Sequence, residues 1–232
     1  MDAKHLSARL LAVAKYVPLG ARLADIGSDH AYLPAYLGLN NKISYAVAGE
    51  VVEGPYLNAV HEIKKEGLAD IVKVRLADGL AAITAKDEID VITICGMGGP
   101  LIYQILNADL RKLKQYPKLI LQPNVGEQQV RTWLTEHNYQ ITTEKIIEED
   151  QHIYEIIVAE RQKKVSALTD DDYLFGPFLR KEKSPVFIKK WQREQEKLKH
   201  VLGEISKARQ VPYTQKALLE NKIKKIGGVL NG

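Results

Sequence analysis

The chain has 232 residues, 45% of them hydrophobic and 27% charged, with a formal net charge of +4. That length holds one packed α/β domain of about 150 residues and a smaller appendage, and the single cysteine, Cys95, excludes an internal disulfide and a cysteine-built zinc site. No apolar run approaches the 18 or so residues a bilayer span needs, and the first 17 residues read as an amphipathic helix broken by Arg9 and Lys15 rather than as a secretion signal, so a cytoplasmic protein is expected.

In chain order, residues 4–16 read as a helix, with Leu6, Leu10, Val13 and Val17 at helical spacing. Strands follow at Arg22–Ile26, Ile43–Gly49 (ending just before Glu50), Ile71–Ala77, Ile89–Cys95 and Leu119–Gln122. Between them fall helices at Leu33–Leu39, Glu53–Glu66 and Pro100–Asn107, and a further helix covers Glu127–His137. Ile141–Glu148 and Ile153–Glu160 complete the series as an antiparallel pair. Such alternation predicts a mostly parallel sheet covered on both faces. Beyond residue 160 the chain turns polar and helical. Ser184-Pro185 starts one helix with a seam of Phe187, Trp191, Leu198, Leu202 and Ile205, and Pro212 breaks it. A second helix carries Tyr213, Leu219, Ile223 and Ile226 and is expected to end at Gly227-Gly228. The predicted domains are 1–160, an α/β body, and 165–232, an all-α, coiled-coil-like hairpin.

In open α/β sheets ligands bind beyond the carboxyl ends of the strands, and the unusual residues lie there. The first strand end reads Leu23-Ala-Asp-Ile-Gly-Ser-Asp-His-Ala31. It has one glycine, Gly27, where a dinucleotide fingerprint needs three, and Asp25 would be unwelcome beside a pyrophosphate. A carboxylate next to a tight glycine turn suits S-adenosylmethionine, whose amino group and sulfonium are cationic and which carries no phosphate. An ordinary turn with Asp29 as helix cap is the simpler alternative. Glu50, followed by Val51, ends the second strand 23 positions after Gly27, about where such folds place an acid on ribose hydroxyls. Asp78-Gly79 at the third strand end could accept from an adenine amine, or be a plain turn. Cys95-Gly-Met-Gly-Gly99 at the fourth leaves backbone groups free to position a planar base. Cys95 itself reads as a small apolar residue rather than a nucleophile, with no basic residue near it in sequence. Gln122-Pro-Asn124 can line the substrate side or form a simple turn. Six scattered histidines show no metal-ligand spacing, and no metal is expected.

Charge is uneven. Residues 1–159 hold 16 Lys+Arg and 20 Asp+Glu, a net −4, whereas residues 160–232 hold 17 and 9, a net +8. A basic tail on an acidic body points to a polyanionic partner or to a lysine-rich solvated surface.

Ala24-Asp-Ile-Gly-Ser-Asp-His-Ala-Tyr-Leu-Pro34, Cys95-Gly-Met-Gly-Gly99, Gln122-Pro-Asn124 and Phe175-Gly-Pro177 together resemble the bacterial tRNA (adenine-22-N1)-methyltransferase family, over essentially the whole chain. The resemblance implies a Rossmann-like class I methyltransferase sheet with a helical C-terminal domain, S-adenosyl-L-methionine as cofactor and tRNA as partner, with methyl transfer to N1 of an adenine in the D-arm region. Carried over by position, Asp25, Gly27, Ser28, Asp29 and His30 would line the methionine end of the cofactor, Glu50 with Val51 the ribose, and Asp78 with Gly79 the adenine. Gly96, Met97 and Gly98 would face both cofactor and base. The expected catalytic set is the Cys95–Met97 backbone for positioning and Asp29 or His30 for polarising the base, with Tyr32 either a stacking platform or a core-packing residue. A monomer is favoured. Competing readings are a methyltransferase for a small molecule or protein, which leaves the tail unexplained, and a non-catalytic RNA-binding protein with a nucleotide-binding fold. A nicotinamide-dependent oxidoreductase is disfavoured by the missing glycines.

Overall fold

The computed structural model describes residues 2–113, 118–206 and 213–232, and the chain divides into two compact units, Met1–Leu168 and Thr169–Gly232. The first unit opens with α1 (Ala8–Tyr16). The helix expected from residue 4 begins only at Ala8, because Asp2 accepts the N–H groups of Lys4 and His5, both at 2.8 Å, and closes a separate turn. Ser7 then caps the helix, accepting from the Leu10 N–H at 3.2 Å. There follow β1 (Ala21–Ile26), α2 (Tyr32–Leu39), β2 (Ile43–Glu50), α3 (Glu53–Lys65), β3 (Val72–Leu76), β4 (Val91–Gly98), α4 (Gly99–Ala108), α5 (Leu110–Leu113), β5 (Lys118–Val125), α6 (Glu127–Glu136), β6 (Tyr139–Glu149) and β7 (His152–Arg161).

The seven strands form one sheet in the order β3-β2-β1-β4-β5-β7-β6. β1 to β5 run parallel, and β7 pairs antiparallel with β5 and with β6. The chain leaves β1 toward β2 on one side and returns to β4 on the other, so the crevice at the carboxyl ends opens between β1 and β4. Residues 162–168 stay with the sheet: the Gln162 N–H donates to the Asn138 carbonyl at 2.9 Å, and Leu168 packs on the core.

Strand alternation sorts the side chains onto two faces. Ala24, Ile26, Ile92, Ile94, Leu119 and Leu121 join the core under α4 and α6. Leu23, Val91 and Ile120 join the other core, with Val13 of α1, Leu33 and Leu37 of α2 and Ile63 of α3. By the same parity Asp25, Thr93, Cys95 and Gln122 belong to the face that α1 and α2 cover. A polar group is therefore buried at the end of each central strand, on one side of the sheet.

On the sheet's flank, Asp87 is buried in a 3-10 turn (Ala85–Asp87) ahead of β4. Its carboxylate takes a bidentate pair from Arg75 at 2.6 and 2.7 Å, the Thr84 N–H and hydroxyl at 2.6 and 2.8 Å, and the Tyr45 hydroxyl at 2.8 Å. Burial pushes its pKa up, but Arg75, Thr84 and Tyr45 outweigh burial and hold the carboxyl well below the usual range. A depressed carboxylate contributes stability that is full above the unfolded pKa and lost as pH falls through the folded one. Asp87→Asn is thus expected to cost about 1.5–3 kcal/mol at pH 7, with the gap to the parent shrinking in urea titrations run below the ordinary carboxylate range. A gap that stays constant with pH would refute the assignment.

The second unit contains α7 (Asp170–Phe175), α8 (Leu179–Glu182), α9 (Pro185–Ser206) and α10 (Tyr213–Asn231). Phe187, Trp191 and Leu198 of the expected seam are buried, and Phe175 meets Trp191 edge-on at 4.7 Å. α9 and α10 are tied by Lys222 to Glu194 at 2.9 Å and by Gln195 to the Ile223 carbonyl at 3.3 Å. Pro212, the expected break, lies outside the described residues. The expected stop at Gly227-Gly228 is overturned: α10 runs on to Asn231. A side chain at Gly227 would come within 3.3 Å of Gln195, so this glycine serves helix contact rather than termination.

Candidate active site

A cavity of about 400 Å³ opens at the carboxyl ends of β1, β2, β4 and β5, within the range of small-molecule sites. Asp25, Gly27, Ser28 and Asp29 line it from the end of β1, Glu50 and Val51 from β2, and Cys95, Gly96 and Met97 from β4. All nine were singled out in the sequence. His30, Asp78 and Gly79 were singled out too, and none of them lines the cavity. His30 instead stacks on Tyr32, rings 5.2 Å apart and 5° from parallel. Asp78 is exposed, past the end of β3.

The β1–α2 loop is an unusual piece of backbone. Gly27 has φ +68°, and Asp29, His30 and Ala31 follow at +41°, +63° and +55°, a left-handed run that costs non-glycine residues. The end of β2 holds it: the Gly27 and Ser28 N–H groups both donate to the Gly49 carbonyl, at 2.9 and 3.2 Å, and the Asp29 N–H donates to the Glu50 carboxylate. Asp29 is therefore no helix cap, since α2 starts at Tyr32 after Ala31 with no side-chain cap. Glu50 is the last residue of β2 rather than the one after it, because its pairing with Leu76 extends the ladder. A Cβ at Gly27 would meet the Met97 methyl, the mobile end of that side chain, so the positive φ is what requires glycine here.

Two carboxylates are buried at this rim, Asp25 at 3% exposure and Glu50 at 7%. Asp25 accepts from the Ser28 hydroxyl at 2.5 Å and the Thr93 hydroxyl at 2.6 Å, the latter because β1–β4 register sets Asp25 beside Thr93. Burial nonetheless raises its pKa, with Ser28 and Thr93 opposing. Burial also raises Glu50, against the Asp29 N–H. The Cys95 thiol is pushed far up by burial and by Asp25, which favours the protonated thiol over the nucleophilic thiolate.

The backbone of Gly96 is not free, as the sequence reading supposed. Its N–H donates to Gln122 Oε1 at 3.0 Å and its carbonyl accepts from Asn124 Nδ2 at 2.8 Å, while Gln122 Nε2 donates to Asn124 Oδ1 at 3.1 Å. Gln122 and Asn124 thus clamp the glycine loop from β5. Sequence reasoning missed Arg9 altogether. It enters the cavity from α1, beside Asn124 of β5 and Tyr154 of β7. Only the parity of Asp25, Thr93, Cys95 and Gln122, all facing the helix that precedes β1, could have pointed to it.

Three acids, one arginine and a glycine turn without a phosphate-cradling loop suit a ligand with positive charge and hydroxyls. Among the described residues no group of three or more His, Cys, Asp and Glu could hold a metal ion, and no helix is long and apolar enough to cross a membrane. This sheet order, with acids at the β1 and β2 ends, defines a Rossmann-like class I methyltransferase.

The sequence model of the tRNA (adenine(22)-N(1))-methyltransferase family matches residues 23–228, and the chain belongs to that family. The enzyme of that description from Bacillus subtilis (strain 168) is 45% identical over 224 residues, 95% of this chain and 94% of its own. A Streptococcus pneumoniae relative, crystallised in complex with S-adenosyl-L-methionine, is 48% identical with TM-score 0.90, over 98% of this chain and 100% of that one. The M. capricolum protein, its structure solved in complex with S-adenosyl-homocysteine, is 32% identical with TM-score 0.87, over 97% and 98%.

Proposed function

We propose that the chain methylates N1 of adenine 22 in tRNA with S-adenosyl-L-methionine as donor. The observation that carries this is the pair of buried carboxylates, Asp25 and Glu50, at one glycine-turned cavity of a sheet whose family acts on that atom. When bound, S-adenosylmethionine supplies a methyl group activated on a sulfonium. Glu50 holds the ribose hydroxyls, with Val51 against the sugar. Asp25, through Ser28, and Asp29 set a negative potential at the methionyl end, and the backbone at Gly27 allows close approach. Asp78 and Gly79, outside the cavity, serve the adenine edge of the cofactor.

Adenine N1 has an in-plane lone pair, so the protein needs no general base and its main contribution is alignment. The loop Cys95-Gly96-Met97, braced by Gln122 and Asn124, places the base. Asp29 or His30 stabilises charge developing on the ring, and Tyr32 with His30 offers a stacking surface. The target atom sits on the pairing edge and must first be exposed, at a cost of a few kcal/mol. Residues 165–232, rich in Lys and Arg, hold the RNA backbone, and binding should weaken steeply with salt. The chain works as a monomer in the cytoplasm, where its substrate is.

The test is mass spectrometry of nucleosides from unmodified tRNA incubated with protein and donor. 1-Methyladenosine is expected with the parent tRNA and absent when adenine 22 is replaced by guanine. Methylation that persists in the replaced tRNA, or never occurs, overturns the proposal.

A further inference from the structure

The β6–β7 hairpin outruns the sheet. The ladder between β5 and β7 spans Lys118–Glu160 to Leu121–Ile157, and the stretch from His152 to Ile156 pairs with β6. This ribbon therefore stands beyond the carboxyl ends of the parallel strands, beside the mouth of the cavity. Along one face of β7 the row Val158, Ile156, Tyr154, His152 passes from core to cavity wall to open tip: Val158 and Ile156 are buried, Tyr154 lines the cavity, and His152 is exposed outside it. The His152 and Tyr154 rings stack, 6.3 Å apart and 26° from parallel, and the Arg9 guanidinium lies 5.4 Å from the Tyr154 centroid. The tip is held in place. Glu149, opposite His152 in the ladder, accepts the N–H groups of Ala8 and Arg9 at 2.5 and 3.3 Å. His152 Nδ1 lies 2.9 Å from the Asp150 carbonyl, which can only accept, so Nδ1 carries the hydrogen and Nε2 is left as the acceptor of the neutral ring.

The cofactor assigned above takes the ends of β1 and β2, and the target base meets the glycine loop of β4. The space beyond β5 and β7 is left to the rest of the RNA. Glu148, Glu149 and Asp150 adjoin the tip in sequence and repel a phosphate, so the neutral face of a base, rather than the RNA backbone, suits the ring. Unpaired bases in RNA are held by stacking on such aromatic side chains, and a nucleotide drawn out of its pair uncovers the face of its neighbour. We propose that His152 is a substrate-binding residue that stacks on the nucleobase next to the target adenine and so keeps that adenine out of its helix. This rests on the tRNA methyltransferase reading.

Methylation kinetics on the full chain, with calorimetry on S-adenosylmethionine beside them, test this in the parent, His152→Ala and His152→Phe. His152→Ala is expected to raise KM for tRNA about 5- to 100-fold, the scale of one base–aromatic stack, and to leave donor Kd unchanged, because His152 lies outside the cavity. His152→Phe keeps a ring but loses the bond to Asp150, and should restore most of the affinity. On a tRNA made abasic at the neighbour of the target that stacks, the parent should lose the same factor and His152→Ala nothing further. Equal defects in the two variants would confine His152 to the turn and overturn the inference. So would an unchanged KM, or a weakened donor Kd. An alanine defect that persists in full on tRNAs abasic at either neighbour also overturns it, by moving the contact elsewhere. Each of these outcomes leaves the methyltransferase reading intact, whereas a parent protein that methylates no tRNA overturns both.

Discussion

Arg131→Met is expected to lower the thermal midpoint of the sheet unit by roughly 6–20 °C, the equivalent of about 3–5 kcal/mol. Arg131 projects from α6 between β6 and β7, where it meets Glu144 at 2.7 Å and Glu155 at 2.5 Å, all three side chains wholly removed from water. Methionine fills similar space but leaves two buried carboxylates without their cation. Their folded-state pKa values then rise, so the folded variant holds protons that the unfolded chain releases, and its stability falls as pH rises through that window. The loss should therefore be larger at pH 8 than at pH 5 in parallel calorimetric scans. Replacing Glu144 and Glu155 with leucine in the same variant should recover most of it. A single variant that melts with the parent would show that the cluster contributes little. The consequence reaches the cavity, because the β6–β7 hairpin carries Glu149 and Tyr154, the groups that hold Arg9.

That hairpin also shows where sequence reading stops. Its two strands were legible from their apolar runs, but the turn was not. Asp150 and Gln151 take φ +48° and +65°, the geometry usually signalled by Asn-Gly or Asp-Gly, and Gln carries no such signal. Alternating strands and helices made the parallel sheet legible, but not its strand order, in which β7 inserts between β5 and β6. The short helices α7 and α8 escaped, having too few residues for a period, although Thr169 and Asp172 form a reciprocal cap at the start of α7. Gly227 misled because a glycine that admits a neighbouring helix looks, in one dimension, like a glycine that ends one.

Within the site, residues adjacent in sequence were legible and partnerships between distant strands were not. Asp25, Gly27, Ser28 and Asp29 form one turn, so their composition alone carries a charge argument. Gln122 and Asn124 looked like a substrate-side rim because nothing local reveals that β4–β5 pairing brings them onto the peptide groups of Gly96. Asp87 went unremarked for the same reason. Its partners Tyr45 and Arg75 come from β2 and β3, and only Thr84 is near it in the chain. His30 belongs to the same loop, and the left-handed run, invisible in the sequence, turns its ring onto Tyr32.

Glu50→Gln should separate binding from stability, and in opposite directions. The carboxylate is 7% exposed; burial raises its pKa, the Asp29 N–H opposes that, and Asp25 and Asp29 add to it while His30 opposes. A raised carboxylate favours the protonated folded form, so at neutral pH the charged Glu50 costs stability, a cost that disappears as pH falls to the unfolded value. The neutral amide is isosteric and keeps an oxygen for the Asp29 N–H. The ligand-free variant is therefore expected to melt above the parent at pH 7, by a margin that narrows toward pH 4. Donor affinity should go the other way, because each hydroxyl bound to a charged acceptor loses about 1 kcal/mol when that acceptor becomes neutral, roughly 5-fold in Kd per hydroxyl. Parent affinity should also decline as pH drops through the raised pKa, where Glu50 takes up a proton and gives up an acceptor site, while the variant's affinity loses that part of its pH dependence. If calorimetry finds the two proteins binding the donor equally well, with parallel pH profiles, Glu50 does not hold the ribose. Its carboxylate would then act only on the left-handed loop, through the Asp29 N–H.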